Sequence, residues 1–238
     1  MKFGSLFSGI GGIDLGLERA GMTCIWQSEI EPYACQVLAK HWPNIPNLGD
    51  IRDIDWTTVE RADLVAGGYP CQPFSVAGHR AGGDDPRHLW PLFAECLRVL
   101  RPRYALLENV PGHLSLGFGQ VLGDLAEIGY DAEWDCIPAA ALGAHHRRDR
   151  LFVIATDTDQ PRLQGRNGPT HTGWPAPTRH AGTSHRWAAE SDMGRVAHGI
   201  PHRVDRLRAL GNAVVPQVAE HIGNIIMEAD NDRQIEAP

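Results

Sequence analysis

The sequence predicts an α/β fold in which a largely parallel sheet is covered on both faces by helices. Three observations carry that prediction. Short apolar runs recur at 3–7, 24–28, 64–67, 104–107, 133–137 and 151–155. Amphipathic helical stretches lie between them, the alternation expected of such a sheet. The 238 residues are enough for one large domain with a full core.

Taken in order, the first apolar run passes into Phe7-Ser8-Gly9-Ile10-Gly11-Gly12 and then a helical pattern. Glycines at a strand-to-helix turn let backbone amides and the helix N-terminus approach an anionic ligand. Glu29 closes the second run, twenty residues after Gly9, and suits a carboxylate accepting the hydroxyls of an adenosine-type ribose. Asp14 stands where a dinucleotide fingerprint needs its third glycine, so that fingerprint fails; a glycine-rich turn with no ligand is the plain alternative. Gly49-Asp50-Ile51 adds a carboxylate suited to an adenine amino group.

The third run leads into Gly67-Gly68-Tyr69-Pro70-Cys71-Gln72-Pro73-Phe74-Ser75. A cysteine there sits at the carboxyl end of a strand, where ligand crevices form. Most intracellular cysteines are small buried hydrophobes, but the prolines and glycines around Cys71 rigidify a loop in a way that packing does not require. Residues 75–87, with Gly78, Gly82, Gly83 and Arg80, suit either a mobile lid or an ordinary surface loop. Leu89, Leu92, Phe93, Cys96, Leu97 and Leu100 then make one face of a helix, limited by Pro102. Glu108-Asn109-Val110 ends the fourth run, and Arg147-Arg148-Asp149-Arg150 precedes the sixth, so a carboxylic acid, a cysteine and arginines gather at strand termini.

From about Thr156 to Gly199, prolines and glycines break any periodicity, which indicates a small irregular insert. Val214, Val215, Val218, Ile222 and Ile226 restore helical spacing, with Pro216 suited to a first turn. The expected division is 1–155 for the main domain, 156–202 for the insert and 203–238 for a segment returning to the main domain.

The composition, 42% hydrophobic and 21% charged, is that of an ordinary soluble protein, with no run long enough to span a membrane. The N-terminus lacks the features of a signal peptide. A cytoplasmic protein is expected. Five cysteines without a Cys-x-x-Cys pair indicate neither a disulfide framework nor a four-thiolate zinc site, and no metal is expected. The net charge of −7 is unevenly spread. Residues 1–144 carry 10 basic against 18 acidic side chains, whereas 145–210 carry 11 against 6 and seven of the twelve histidines. Local charge decides where a phosphate backbone can lie, so a basic face is available.

Phe-Ser-Gly-x-Gly-Gly, Pro-Cys-Gln-Pro-Phe-Ser, Glu-Asn-Val, Arg-Arg-Asp-Arg and Gly-Asn-Ala-Val-Val-Pro-Gln stand here in the order in which the DNA cytosine-5 methyltransferase family carries them. The chain resembles that family over residues 1 to about 155 and again from about 203 to 226. The resemblance implies a Rossmann-like S-adenosylmethionine-dependent methyltransferase sheet with a small irregular target-recognition insert. It implies methylation of carbon 5 of cytosine in double-stranded DNA, in a short prokaryotic or phage-like member.

By the same resemblance, Phe7 stacks near adenine, Gly9 and Gly11 lie against the methionine part, and Glu29 holds the ribose. Ile30, Asp50 and Ile51 complete the adenosine site, and Asn212 and Val214 close it. Cys71 adds to carbon 6 of a flipped-out cytosine, Glu108 contacts ring nitrogen 3 and the exocyclic amine, and Arg150 with Arg148 supports the attack. Gln72, Ser75, Arg80, Arg162, Arg166 and Arg179 are the DNA-contact candidates, with Arg186 a further one. Trp174 and Trp187 suit either base stacking or a core.

Two departures stand out. His146 occupies a place where the family usually has Gln, and the insert is short for target recognition. A cognate restriction endonuclease is a possible partner, a monomer is the default, and RNA is the rival substrate. The base that removes the carbon 5 proton is not assigned.

Overall fold

The computed structural model describes residues 1–70, 89–159 and 203–236. Six strands form one sheet in the order β2-β1-β3-β4-β6-β5. They are β1 (Lys2–Leu6), β2 (Thr23–Ser28), β3 (Leu64–Gly68), β4 (Tyr104–Asn109), β5 (Tyr130–Pro138) and β6 (Asp149–Asp157). The helices are α1 (Gly12–Arg19), α2 (Pro32–His41), α3 (Trp90–Leu100), α4 (Phe118–Glu127), α5 (Arg203–Asn212) and α6 (Pro216–Glu236). Among the described residues no helix is long and apolar enough to cross a membrane.

Strand side chains alternate between the two faces of the sheet. Val65, Ala105 and Leu107 belong to one buried cluster with Trp90, Phe93 and Leu97 of α3 and Phe118, Val121 and Leu125 of α4. Leu64, Ala66 and Leu106 belong to the other, with Ile13 and Leu17 of α1 and Val218, Ile222 and Ile226 of α6. Both faces are therefore covered, which is why the central strands read as continuous apolar runs.

Strands β1 to β4 are parallel. The expectation of a largely parallel sheet holds with one exception: β6 runs antiparallel to both β4 and β5, so β5 points the same way as β4. The physical reason is the connection. Between Pro138 and Asp149 the chain makes a 3-10 turn at Ala139–Leu142 and little else. A parallel return needs a crossover of a dozen or more residues, usually helical, so the chain can only double back.

The C-terminal segment also holds more helix than its periodicity suggests. Helix α5 precedes Val214, and α6 continues to Glu236. Arg103 Nη1 donates to Asp230 at 2.5 Å and its Nη2 to Asp63 at 3.1 Å, which pins α6 to the amino end of β4.

Candidate active site

In the order β2-β1-β3-β4, the chain leaves β1 toward α1 on one face and β3 toward α3 on the other. A crevice opens at such a switch point, outside the carboxyl ends of the strands. Here it is a cavity of about 710 Å3, within the roughly 300–1,000 Å3 range of small-molecule sites. Its walls combine the exits of β1, β2, β3 and β4 with the start of β6 and the α5–α6 junction.

The β1 exit is conformationally unusual. Phe7 has φ 53°, Gly9 φ 56° and Gly11 φ 81°. A left-handed phenylalanine is uncommon and costs free energy that the surroundings must hold in place; its ring stacks on Phe93 at 6.4 Å. Phe7 and Gly9 line the cavity. Gly11 is instead the N-cap of α1, and a Cβ there would meet the Trp42 ring at 2.4 Å. Its hydrogen is required by packing against Trp42.

Among the described residues, the Glu29 carboxylate is held by main-chain amides alone. Its Oε2 accepts from Gly9 N at 2.7 Å, and its Oε1 accepts from Ile30 N at 2.9 Å and Glu31 N at 2.8 Å. A carboxylate has about four lone-pair sites, so capacity for a further donor remains. Asp50 accepts from Arg52 N at 3.0 Å and is gripped by the Arg52 guanidinium, its Nη2 at 2.5 Å. These bonds hold the Asp50 carboxyl below its ordinary pKa. Ile30, Asp50, Ile51, Asn212 and Val214 all line the same cavity.

At the other end of the cavity lie Glu108 and Arg150. Strand β6 starts where β4 ends, and the antiparallel register sets Glu108 opposite Phe152 and Asn109 opposite Leu151. Arg150 therefore reaches the carboxyl edge of the parallel strands, and its Nε lies 2.9 Å from Glu108 Oε1. In an all-parallel sheet the start of this strand would lie at the opposite edge. Burial pushes the Glu108 carboxyl from 4.5 up to about 7, against the pull of Arg150 and Arg148. The group is poised between acid and carboxylate near neutral pH.

Arg148 does a different job from Arg150. In a left-handed conformation, φ 35°, its Nη2 donates to Gly211 O at 2.7 Å and Ala213 O at 2.5 Å. It thereby fixes the segment that carries Asn212 and Val214 to the cavity wall, and does not itself line the cavity.

Cys71 lies outside the described residues, as do Gln72, Ser75, Arg80, the whole 75–87 stretch, Arg162, Arg166, Trp174, Arg179, Arg186 and Trp187. Pro70, immediately before Cys71, lines the cavity together with Glu108 and Arg150. The described cysteines, Cys24, Cys35, Cys96 and Cys136, all have thiol pKa values raised, burial being the first cause in each. A nucleophilic thiolate needs the opposite shift.

Sequence reasoning missed four residues. Tyr69 and Asn109 stand beside Cys71 and Glu108 in the quoted motifs, yet only the fold shows Asn109 Nδ2 donating to Tyr69 O at 3.1 Å. Asp205 and Ala209 of α5 line the cavity, and nothing in the polar pattern of that helix signals it.

A model of the family described as C-5 cytosine-specific DNA methylase matches residues 1–192. The Bacillus subtilis type II methyltransferase M2.BsuMI is 35% identical over 194 residues, 76% of this chain and 49% of the relative. The Neisseria gonorrhoeae type II methyltransferase M.NgoMIV is 38% identical over 162 residues, 65% of this chain and 52% of the relative. The chain thus spans about half the length of these curated relatives. Among solved structures, a putative DNA modification methyltransferase from an Escherichia coli prophage matches with a TM-score of 0.57 and 27% identity, over 67% of this chain and 47% of that one. The Spodoptera frugiperda DNMT2 mutant structure shares the fold at a TM-score of 0.59 and 22% identity, over 73% of this chain and 57% of that one.

Proposed function

The chain belongs to the C-5 cytosine-specific DNA methylase family, and on that premise we propose that it transfers a methyl group from S-adenosylmethionine to carbon 5 of cytosine in double-stranded DNA through a covalent Cys71 adduct. The observation that carries this reading is that one cavity joins the Gly9 turn and Glu29 to Glu108 and Arg150. Donor and acceptor would share it.

The residues present fit the cofactor. Glu29 would hold the ribose hydroxyls with its remaining acceptor capacity, Asp50 and Ile51 with Ile30 would flank the adenine, and Phe7 would stack near it. Asn212 and Val214 would close the pocket behind. When bound, S-adenosylmethionine supplies an electrophilic methyl group on a sulfonium centre.

Carbon 5 of cytosine is a weak nucleophile by itself. The Cys71 thiolate forms a bond to carbon 6, and the displaced electron pair makes an enamine whose carbon 5 takes the methyl. Glu108, in its protonated form, donates to ring nitrogen 3 and neutralises the charge that develops there. Arg150 keeps Glu108 oriented through the 2.9 Å pair. Loss of the carbon 5 proton then restores the ring double bond and expels the Cys71 thiolate. The target base must be extruded to reach these groups. Residues 156–202 and the arginines Arg162, Arg166 and Arg179, with Gln72, Ser75 and Arg80, would supply recognition and phosphate contacts.

The test is transfer of radiolabelled methyl to mixed-sequence DNA and, in parallel, to RNA, with the labelled base identified after hydrolysis. Label in 5-methylcytosine of DNA supports the reading. Label in RNA alone, or in another base, contradicts it.

A further inference from the structure

Tyr69 is buried at the end of β3, with its ring tilted against Trp90 at 5.2 Å and edge-on to Phe93 at 6.3 Å. Those contacts need a ring and no hydroxyl. A buried hydroxyl is costly without a partner, and here it meets His113 Nε2 at 2.8 Å. His113 is only 2% exposed. It sits in the 3-10 turn Pro111–Ser115 that follows β4, edge-on to Phe118 at 5.9 Å. Burial lowers its pKa, which favours the neutral imidazole. A neutral ring can pair with a phenol in either tautomer.

The two residues are 44 positions apart and come from different strand exits. One exit carries Glu108. The other continues through Pro70 to Cys71. Asn109 also donates to the Tyr69 carbonyl at 3.1 Å, so Tyr69 is held by its main chain and by its hydroxyl. Proline has a fixed φ, so one dihedral freedom is removed between Tyr69 and the residue after Pro70.

We propose that Tyr69 and His113 are positioning residues whose buried hydrogen bond aligns the chain entering Cys71 with Glu108. This rests on the methyl-transfer reading above. The Tyr69 hydroxyl is a distance constraint between the strand exit that bears the nucleophile and the turn that follows the acid. Its loss leaves the aromatic packing in place and loosens the approach of thiol to base.

The experiment uses the full chain, S-adenosylmethionine and DNA containing 5-fluorocytosine. Fluorine at carbon 5 cannot leave as a proton, so the Cys71 adduct persists and its rate of formation is counted on a denaturing gel. Tyr69→Phe and His113→Leu form adduct about tenfold more slowly, the scale on which small misplacements of reacting groups act. Their cofactor Kd stays within about twofold, the signature of a lost alignment rather than a lost binding contact. His113→Gln, which keeps a hydrogen-bonding side chain, recovers most of the rate.

Tyr69→Phe removes one oxygen only and carries the test alone if His113→Leu does not fold. Adduct formation by folded Tyr69→Phe at the wild-type rate overturns the proposal. Absence of adduct from the wild-type protein overturns the methyl-transfer reading, and the proposal falls with it.

Discussion

Arg150 Nε lies 2.9 Å from Glu108 Oε1, and the pair forms because β6 runs against β4. The arginine at the start of one strand thus meets the acid near the end of its neighbour, at the edge where the cavity opens. The pair is mostly buried. Desolvation outweighs the attraction of the arginine, which is why the Glu108 carboxyl stands near 7 rather than below 4.5.

That raised value makes stability depend on pH. Below pH 4.5 the carboxyl is protonated in both the folded and the unfolded chain, and its contribution is fully present. As pH rises from 4.5 through about 7, the unfolded chain ionises first and the contribution is lost, about 3 kcal/mol at most. Glu108→Gln removes this loss. Denaturant unfolding at pH 5 and pH 8 should show the wild type losing more stability than the variant. Asp14, raised to about 6 by burial, contributes in the same direction to both proteins and cancels in the comparison. Equal pH dependence of the two would contradict the assignment.

Under the proposed methyl transfer, the same protonation state governs the addition step. The addition step should slow as pH rises through about 7, because only the acid form donates to ring nitrogen 3. Single-turnover rates across pH 6 to 9, after the thiolate limb is accounted for, check this. Glu108→Gln should lose the limb together with most of the rate.

Gly68 stands opposite Glu108 in the β3–β4 register. A Cβ built there would lie 2.5 Å from Glu108 Oε2. Gly68→Ala should therefore displace the carboxyl from Arg150, costing about 1–3 kcal/mol of stability and a larger share of activity. Thermal unfolding and methyl-transfer rates on the same preparation separate the two effects.

Arg148 bridges two carbonyls, Gly211 O and Ala213 O. Both bonds come from one nitrogen, Nη2, and Arg148→Lys keeps the charge on a side chain that ends short of that position. The expected result is weaker cofactor binding, through the loosened Asn212 and Val214, and a stability loss of about 1 kcal/mol. Isothermal titration with S-adenosylmethionine checks it.

All six strands were legible as apolar runs because both faces of the sheet are covered. The reversed direction of β6 was not. A buried strand has the same pattern whether it runs parallel or antiparallel, and only the short connection from Pro138 to Asp149, without an α-helix, distinguishes β6. Glu29, Glu108 and Arg150 were legible as cavity-lining candidates because strand ends gather at one edge of the sheet. Arg148 was not separable from Arg150 by sequence, since residues two apart in a strand share a face; the left-handed backbone at Arg148 breaks that pattern, and the facing segment, 211–213, lies more than sixty positions away. Helix α5 was hidden by its polar composition, and the Tyr69–His113 pair by its long separation in the chain.

The measurement that tests the central claim most directly is transfer of radiolabelled methyl from S-adenosylmethionine to DNA by the wild-type protein and by Cys71→Ser. The account predicts label in 5-methylcytosine with the wild type and none with the variant. Label that persists with Cys71→Ser, or label in any other base, would contradict it.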